Sequence, residues 1–318
     1  MNKRCLKVGT RGSRLALIQC YQAIADIQDI SKVKYKESID SSFNIIVTTG
    51  DAMQGTVGAQ SLTKTAWVDK IEEALLSKTI NLAIHSGKDI PKDIAKGTKL
   101  IPVGKRNIPF DVFVGKMKDG KRMKFSQLNK DANVGTASLR REMFLKEANP
   151  EFTIIPHRGN VPTRIKKLDA SDKLDGIILA AAGIKRLNLS SDFDILNQDI
   201  LVPSALQGTL VAQIREDDNE TQEIIRRVLD ADTQTCFAIE RSMSEALGAD
   251  CKSCVGIYAS IKDEKLKLVI SAIDPITVIK YDFAREINLD KLDIEAFVKK
   301  IKSNEEFLHI SKIVTCSI

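Results

Sequence analysis

One transition recurs along this chain and limits what it can fold into. A short apolar run rich in Ile and Val ends in a few small or polar residues, and a helical pattern follows. The runs are "FNIIVTTGD" (43–51), "INLAIHSGKD" (80–89), "DVFVGK" (111–116), "FTIIPHRGN" (152–160) and "LDGIILAAAG" (174–183). Between them, "AWVDKIEEALLS" (66–77) places Trp67, Ile71, Ala74 and Leu75 at helical spacing, and "SLRREMFLKEA" (138–148) continues as a helix. Strands alternating with helices predict an α/β protein.

The pattern changes after about residue 230. A helix over "TQTCFAIERSMSEAL" (233–247) is followed by two strand-like runs flanking a charged turn in "VGIYASIKDEKLKLVISAID", and "DIEAFVKKIKS" (293–303) reads as a closing helix. These features predict a separate small α+β domain. With 318 residues and 43% hydrophobic content, two or three cores of roughly 100 residues each are expected. There is no repeat of fixed period and no low-complexity segment. No apolar run approaches the roughly 20 residues that cross a bilayer, and "MNKRCLKVGTRGS" is unlike a signal-peptide core. The expectation is therefore no membrane association, a mature start near Met1 and a cytoplasmic location.

The excess of 48 Lys+Arg over 42 Asp+Glu is a mild +6, so charge informs only through its placement. In "VGTRGSRLALIQ" (8–19), "VGTASLRREMF" (134–144), "IIPHRGNVPTRIKKLD" (154–169) and "LAAAGIKRLNL" (179–189), a strand meets a helix. Arg11, Arg140, Arg141, Arg158, Arg164 and Arg186 lie at or just past these junctions. Such junctions form the ligand edge of open α/β sheets. Helix N-termini add free N–H groups there, and Arg adds a planar fork matched to carboxylate or phosphate. A single Arg after a strand is more often a surface charge, but six in one topological position predict a polyanionic ligand. Nucleic acid is the weaker reading, because no recognition motif or basic run occurs and aromatic content is only 5%.

"LAIHSGKDIP" (82–91) delivers His85, Ser86, Lys88 and Asp89 into a turn closed by Pro91. A carboxylate beside a lysine at a strand end is either a turn cap or an acid–base or electrostatic partner for a developing cation. Six cysteines are too sparse for a disulfide framework. Cys251 and Cys254 have the spacing of a metal clip or redox pair. A zinc site wants two further ligands, and His85, His157 and His309 are isolated, so no metal is expected. A redox motif belongs at a strand-to-helix turn, whereas here a helix precedes the pair and a strand follows it.

Taken in order, "GTRGSRLALIQ", "HSGKDIP", "VGTASLRRE", "HRGNVPTRIKKLD", "IILAAAGIKRL", "VPSALQGTL" and "ERSMSEALGADCKSCVGIYA" resemble the motifs of the hydroxymethylbilane synthase family, also called porphobilinogen deaminase, from residue 8 to about 259. The resemblance implies a transferase of porphyrin and heme biosynthesis. Such an enzyme deaminates and condenses four porphobilinogen units head to tail on a dipyrromethane cofactor, then releases the linear tetrapyrrole by hydrolysis. It also implies that Cys251 holds the cofactor through a thioether, and that Ser86, Lys88, Thr136, Ser138, Arg140 and Arg141 hold the cofactor's carboxylates. Arg11, Ser13, Gln19, Arg158, Arg164 and Arg186 would meet substrate and the growing chain. Trp67 would replace an aromatic lid. Asp89 matches the catalytic aspartate, a buried carboxylate offsetting the azafulvenium-like cation left when ammonia departs.

The implied architecture is two doubly wound, periplasmic-binding-protein-like α/β domains around a cleft, plus a small α+β C-terminal domain. Domain 1 would comprise residues 1–105 and 204–228, domain 2 residues 106–203, and domain 3 residues 229–318 with the cofactor loop. A monomer is expected. The chain departs from the family pattern at Thr65, Gly87, Ala249, Asp250 and at Cys254, which stands where proline is common. Arg140 and Arg141 are expected to be exposed cleft charges whose loss leaves the fold intact. The rival reading is a noncatalytic two-lobed receptor for an anionic metabolite, which needs the arginines but neither Cys251 nor Asp89.

Overall fold

The structure, a computed structural model, describes residues 4–53, 64–189, 192–250 and 253–316. Strand β1 (Arg4–Thr10) feeds helix α1 (Arg14–Tyr35), whose N-cap Ser13 accepts a hydrogen bond from the Ala16 N–H at 3.3 Å. Strand β2 (Ile39–Ile45) starts and ends earlier than the apolar run suggests. The segment "TTGD" instead forms the single turn α2 (Thr49–Ala52), because Thr48 and Asp51 close a capping box. Helix α3 (Asp69–Leu76) and strand β3 (Leu82–Ser86) follow, then a 3-10 turn over Gly87–Asp89 and strand β4 (Thr98–Val103).

Strand β5 (Asp111–Gly115) leads into a hairpin of β6 (Met117–Lys118) and β7 (Lys121–Arg122). Next come β8 (Asn133–Thr136), α4 (Leu139–Ala148), β9 (Thr153–Pro156), α5 (Val161–Asp169), β10 (Gly176–Ala180), α6 (Ala181–Arg186) and β11 (Asp194–Ile195). The apolar run 174–183 is thus split between a strand and a helix. The chain continues through β12 (Leu210–Arg215), α7 (Asn219–Arg226), α8 (Ala231–Ala246), β13 (Val255–Lys262), β14 (Lys265–Ile273), β15 (Lys280–Asn288), α9 (Ile294–Lys302) and α10 (Glu305–Cys316). No helix among the described residues is long and apolar enough to cross a membrane.

These elements form two compact units, residues 1–106 with 209–237 and residues 107–208 with 238–318. The first unit holds a five-stranded sheet of order β2-β1-β3-β12-β4, in which β12 runs antiparallel to both neighbours. On one face Leu6, Val8, Leu82, Ile84 and Ala212 pack under Ile24 and Ile27 of α1 and Ile224 and Ile225 of α7. On the other, Ala83 and Ile80 meet Ile71 and Leu75 of α3. Helices on both faces make this sheet doubly wound, with the strand-to-helix corners on one edge.

The second unit holds a five-stranded sheet of order β11-β5-β10-β8-β9 and a three-stranded antiparallel sheet β13-β14-β15. Phe113, Val134 and Ile178 pack with Phe144 of α4, while Val112, Ile177 and Leu179 face Leu168 of α5 and Ile184 of α6. The smaller sheet shares the α4-side core through Cys254 and Ile273. Burying apolar area on both faces of these sheets is worth roughly 25 cal/mol per Å².

Candidate active site

In the first unit, the end of β1 presents Arg11. Its Nε donates to Asp51 at 3.0 and 3.2 Å, its Nη2 donates at 2.6 Å, and its guanidinium lies 4.5 Å from the Trp67 ring centroid. Burial raises the Asp51 carboxyl, but hydrogen bonds from Arg11 and Thr48 outweigh it and hold the group below its ordinary value. Trp67 also lies against Gly50, where a Cβ would stand 2.4 Å from the indole. Gln19 is buried within α1, and Ser13 is occupied as its N-cap.

The end of β3 carries Ser86, Lys88 and Asp89. The turn is pinned by the Gly87 N–H donating to Thr209 O at 2.9 Å, and Lys64 Nζ donates to Lys88 O at 2.7 Å. Ser86 and Lys88 are half-buried, whereas Asp89 is exposed, which corrects the expectation of a buried carboxylate. The two-residue step from β3 into the 3-10 turn takes Asp89 off the covered faces of the sheet. His85, one residue earlier in the strand, is 8% exposed.

In the second unit, Asp111 opens β5 opposite Ala180, the last residue of β10. It is fully buried and is shared by two arginines from the first turn of α4. Arg140 donates from Nη2 at 2.6 Å and also to Val202 O. Arg141 donates from Nε at 3.1 Å and Nη2 at 2.6 Å, and from Nη1 to Ile178 O at 3.1 Å. Gln207 Nε2 adds a bond to Asp111 at 3.1 Å. Burial depresses the Arg140 guanidinium, with Asp111 opposing that shift. Arg140 and Arg141 are 5% and 6% exposed, so the expectation of exposed cleft charges is corrected: both are bound into the interior by Asp111. Thr136 Oγ1 accepts from the Ser138 N–H at 3.2 Å and Ser138 caps α4, so both hydroxyls shape the corner that holds the arginines.

The remaining arginines of this unit differ among themselves. Arg158 is exposed. Arg164 is half-buried, and its Nε donates to Gly159 O at 2.6 Å. Arg186 donates from Nη2 to Gly208 O at 2.8 Å, and its buried Nε has no hydrogen-bond partner among the described residues. Burial pulls that guanidinium down to about 10. Cys251 lies outside the described residues. Cys254 is 2% exposed in the core beside β13, and burial pushes its thiol up to about 11. Among the described residues no cluster could hold a metal ion.

A cofactor bearing carboxylates fits this inventory. Among the described residues Arg140 and Arg141 share one carboxylate, and Arg186 has an unspent buried N–H. The sequence reading missed Asp51 and Asp111, which orient three of the arginines it named. An acidic residue opening an otherwise apolar strand was the available signal at Asp111.

A family model described as "Porphobilinogen deaminase, dipyromethane cofactor binding domain" matches residues 6–223. Porphobilinogen deaminase of Carboxydothermus hydrogenoformans is 34% identical over 281 residues, 87% of this chain and 87% of that protein. That of Syntrophotalea carbinolica is 34% identical over 290 residues, 90% and 89%. That of Deinococcus deserti is 37% identical over 286 residues, 87% and 88%. With the arginine-lined corners in both units, these matches establish that the chain belongs to the porphobilinogen deaminase family, transferases that carry a dipyrromethane cofactor.

Proposed function

We propose that this chain catalyses the hydroxymethylbilane synthase reaction, as a cytoplasmic monomer divided into domains at 1–105 with 204–228, 106–203 and 229–318. The family match carries this reading, and the buried Arg140–Asp111–Arg141 cluster supports it. Cys251 is the attachment residue. When bound, the dipyrromethane supplies the free pyrrole carbon to which the first substrate unit is joined.

Arg140 and Arg141 present a guanidinium surplus to the cofactor's carboxylates, with Asp111 aiming both planes. Ser86, Lys88, Thr136 and Ser138 complete the cofactor-binding set. Arg11, Ser13, Gln19, Arg158, Arg164 and Arg186 bind the substrate's acetate and propionate groups and those of the growing chain. Arg11 is already oriented by Asp51, so it binds without first losing side-chain freedom. Trp67 covers Arg11 as a lid. Asp89 offsets the positive charge that develops on porphobilinogen as ammonia leaves, an electrostatic role that needs a fixed carboxylate at the reacting carbon.

Intact mass tests the assignment. The purified chain is expected to exceed its sequence mass by two pyrrole units. Cys251→Ser should remove the excess and the activity together, whereas Cys254→Ala, which deletes one buried sulfur, should keep both. Ala is the cleaner control than Ser here, because a buried hydroxyl without a partner costs roughly 1–3 kcal/mol. A mass excess that survives Cys251→Ser would overturn the attachment.

A further inference from the structure

Gln207 lies in the segment between β11 and β12 and is 1% exposed. Its Nε2 donates to Pro109 O at 2.7 Å and to Asp111 Oδ1 at 3.1 Å, which spends both amide N–H groups. Both acceptors stand at the head of β5, so the planar amide is held at two points. Asp111 in turn is shared by Arg140 and Arg141. A carboxylate gripped by guanidinia alone can turn about its own bonds and exchange oxygens between them. A donor from a separate segment fixes its plane, and with it the planes of both guanidinia.

The backbone around Gln207 is built to hold that pose. Leu206 has φ 60° and Gly208 φ 91°, so left-handed residues flank it on both sides. Leucine rarely adopts that conformation, and such strain persists only where the surroundings enforce it. Here the Leu206 N–H donates to Glu240 Oε2 at 2.5 Å, while Glu240 Oε1 accepts from the Ala259 N–H of β13 at 2.8 Å. Glu240 is 0% and Leu206 3% exposed. The Ile257 N–H of the same strand donates to Pro203 O at 2.9 Å, and the Gln207 N–H closes the turn on Ser204 O at 3.1 Å. At Gly208 any Cβ would stand 2.5 Å from Asn107 O. Filling space at position 207 would need neither the strained neighbour nor two directed N–H bonds.

We propose that Gln207 is a positioning residue: through Asp111 it holds the Arg140 and Arg141 guanidinia in the orientation that grips the cofactor's carboxylates. This rests on the proposed function and adds to it the residue that sets the anchor's geometry. Being neutral, the amide fixes Asp111 without adding a charge. Two guanidinia still face one carboxylate, and the surplus remains for the ligand.

Gln207→Leu keeps the side chain's bulk and removes both N–H groups. Intact mass counts the chains that carry the two-pyrrole adduct, and porphobilinogen consumption is then expressed per adduct-bearing chain. On that basis kcat should fall roughly tenfold, the worth of one hydrogen bond to a charged group, at a KM close to the parental value. The melting temperature should fall as well, and a merely structural role would stop there. Gln207→Asn, whose amide is one methylene short of Asp111, should lose kcat in the same way and decides if Gln207→Leu fails to fold. A parental kcat per adduct-bearing chain in the variants that fold, or failure of both to fold, makes Gln207 a structural residue and overturns this inference alone. A parent that carries no adduct and consumes no porphobilinogen overturns the proposed function with it.

Discussion

Arg141 grips Asp111 with two donors on a single oxygen: Nε at 3.1 Å and Nη2 at 2.6 Å both reach Oδ1, leaving Oδ2 to Arg140 at 2.6 Å. All three side chains are buried. Removing one partner from such a cluster strands charge in a poorly solvated interior, which typically costs about 3–5 kcal/mol. Arg140→Leu and Arg141→Leu should each lower stability by that amount, read as a shift of the urea midpoint. Midpoints matching the parent would show that the cluster contributes nothing to the fold.

Asp89 is exposed, so its role can be separated from folding. Asp89→Asn should melt like the parent and consume porphobilinogen roughly 10² to 10³ times more slowly, because the amide keeps shape while losing the charge. Consumption close to the parental rate would make Asp89 a turn residue.

Trp67 is the only tryptophan, and its ring lies between Gly50 and Arg11. A methyl at Gly50 would sit 2.4 Å from the indole, so Gly50→Ala must push the ring away, at about 1–3 kcal/mol for overpacking. Intrinsic fluorescence should move to longer wavelength as the indole meets water, and substrate KM should rise as Arg11 loses its stacking partner. An unchanged emission spectrum would contradict the contact.

His85 makes stability depend on acid. Its folded value is lowered by burial from 6.5 to about 4, so between those values the unfolded chain binds a proton that the folded chain does not. The contribution of neutral His85 is complete above pH 6.5 and is lost as pH falls toward 4, to a total of about 3 kcal/mol. Between pH 7 and 4 the stability of the parent should fall more steeply than that of His85→Asn. Parallel curves would show that the imidazole titrates normally.

The alternation of strand and helix was legible because each apolar run is bounded by polar residues, and the helix over 139–148 lies within its sequence-read span for that reason. The boundaries that moved did so through local hydrogen bonding. Thr48 and Asp51 end β2 before "TTGD", and α6 begins inside an unbroken apolar run because alanine and glycine at 181–183 carry no branched side chain to favour a strand.

Sequence by itself determined the α/β class, the strand-to-helix corners and the residue types they carry, since periodicity and turn chemistry act over a few neighbours. It could not rank the arginines. Arg140, Arg141 and Arg158 all follow a strand end, yet two are buried against Asp111 and one is exposed. The deciding partner comes from β5, which the antiparallel pairing with β10 brings to the same sheet edge. The same holds for the buried Gln213 of β12, whose amide is fixed by Glu72 on α3 and Thr98 on β4. Burial and charge pairing are set by which distant segments share an edge, and only the tertiary structure specifies that.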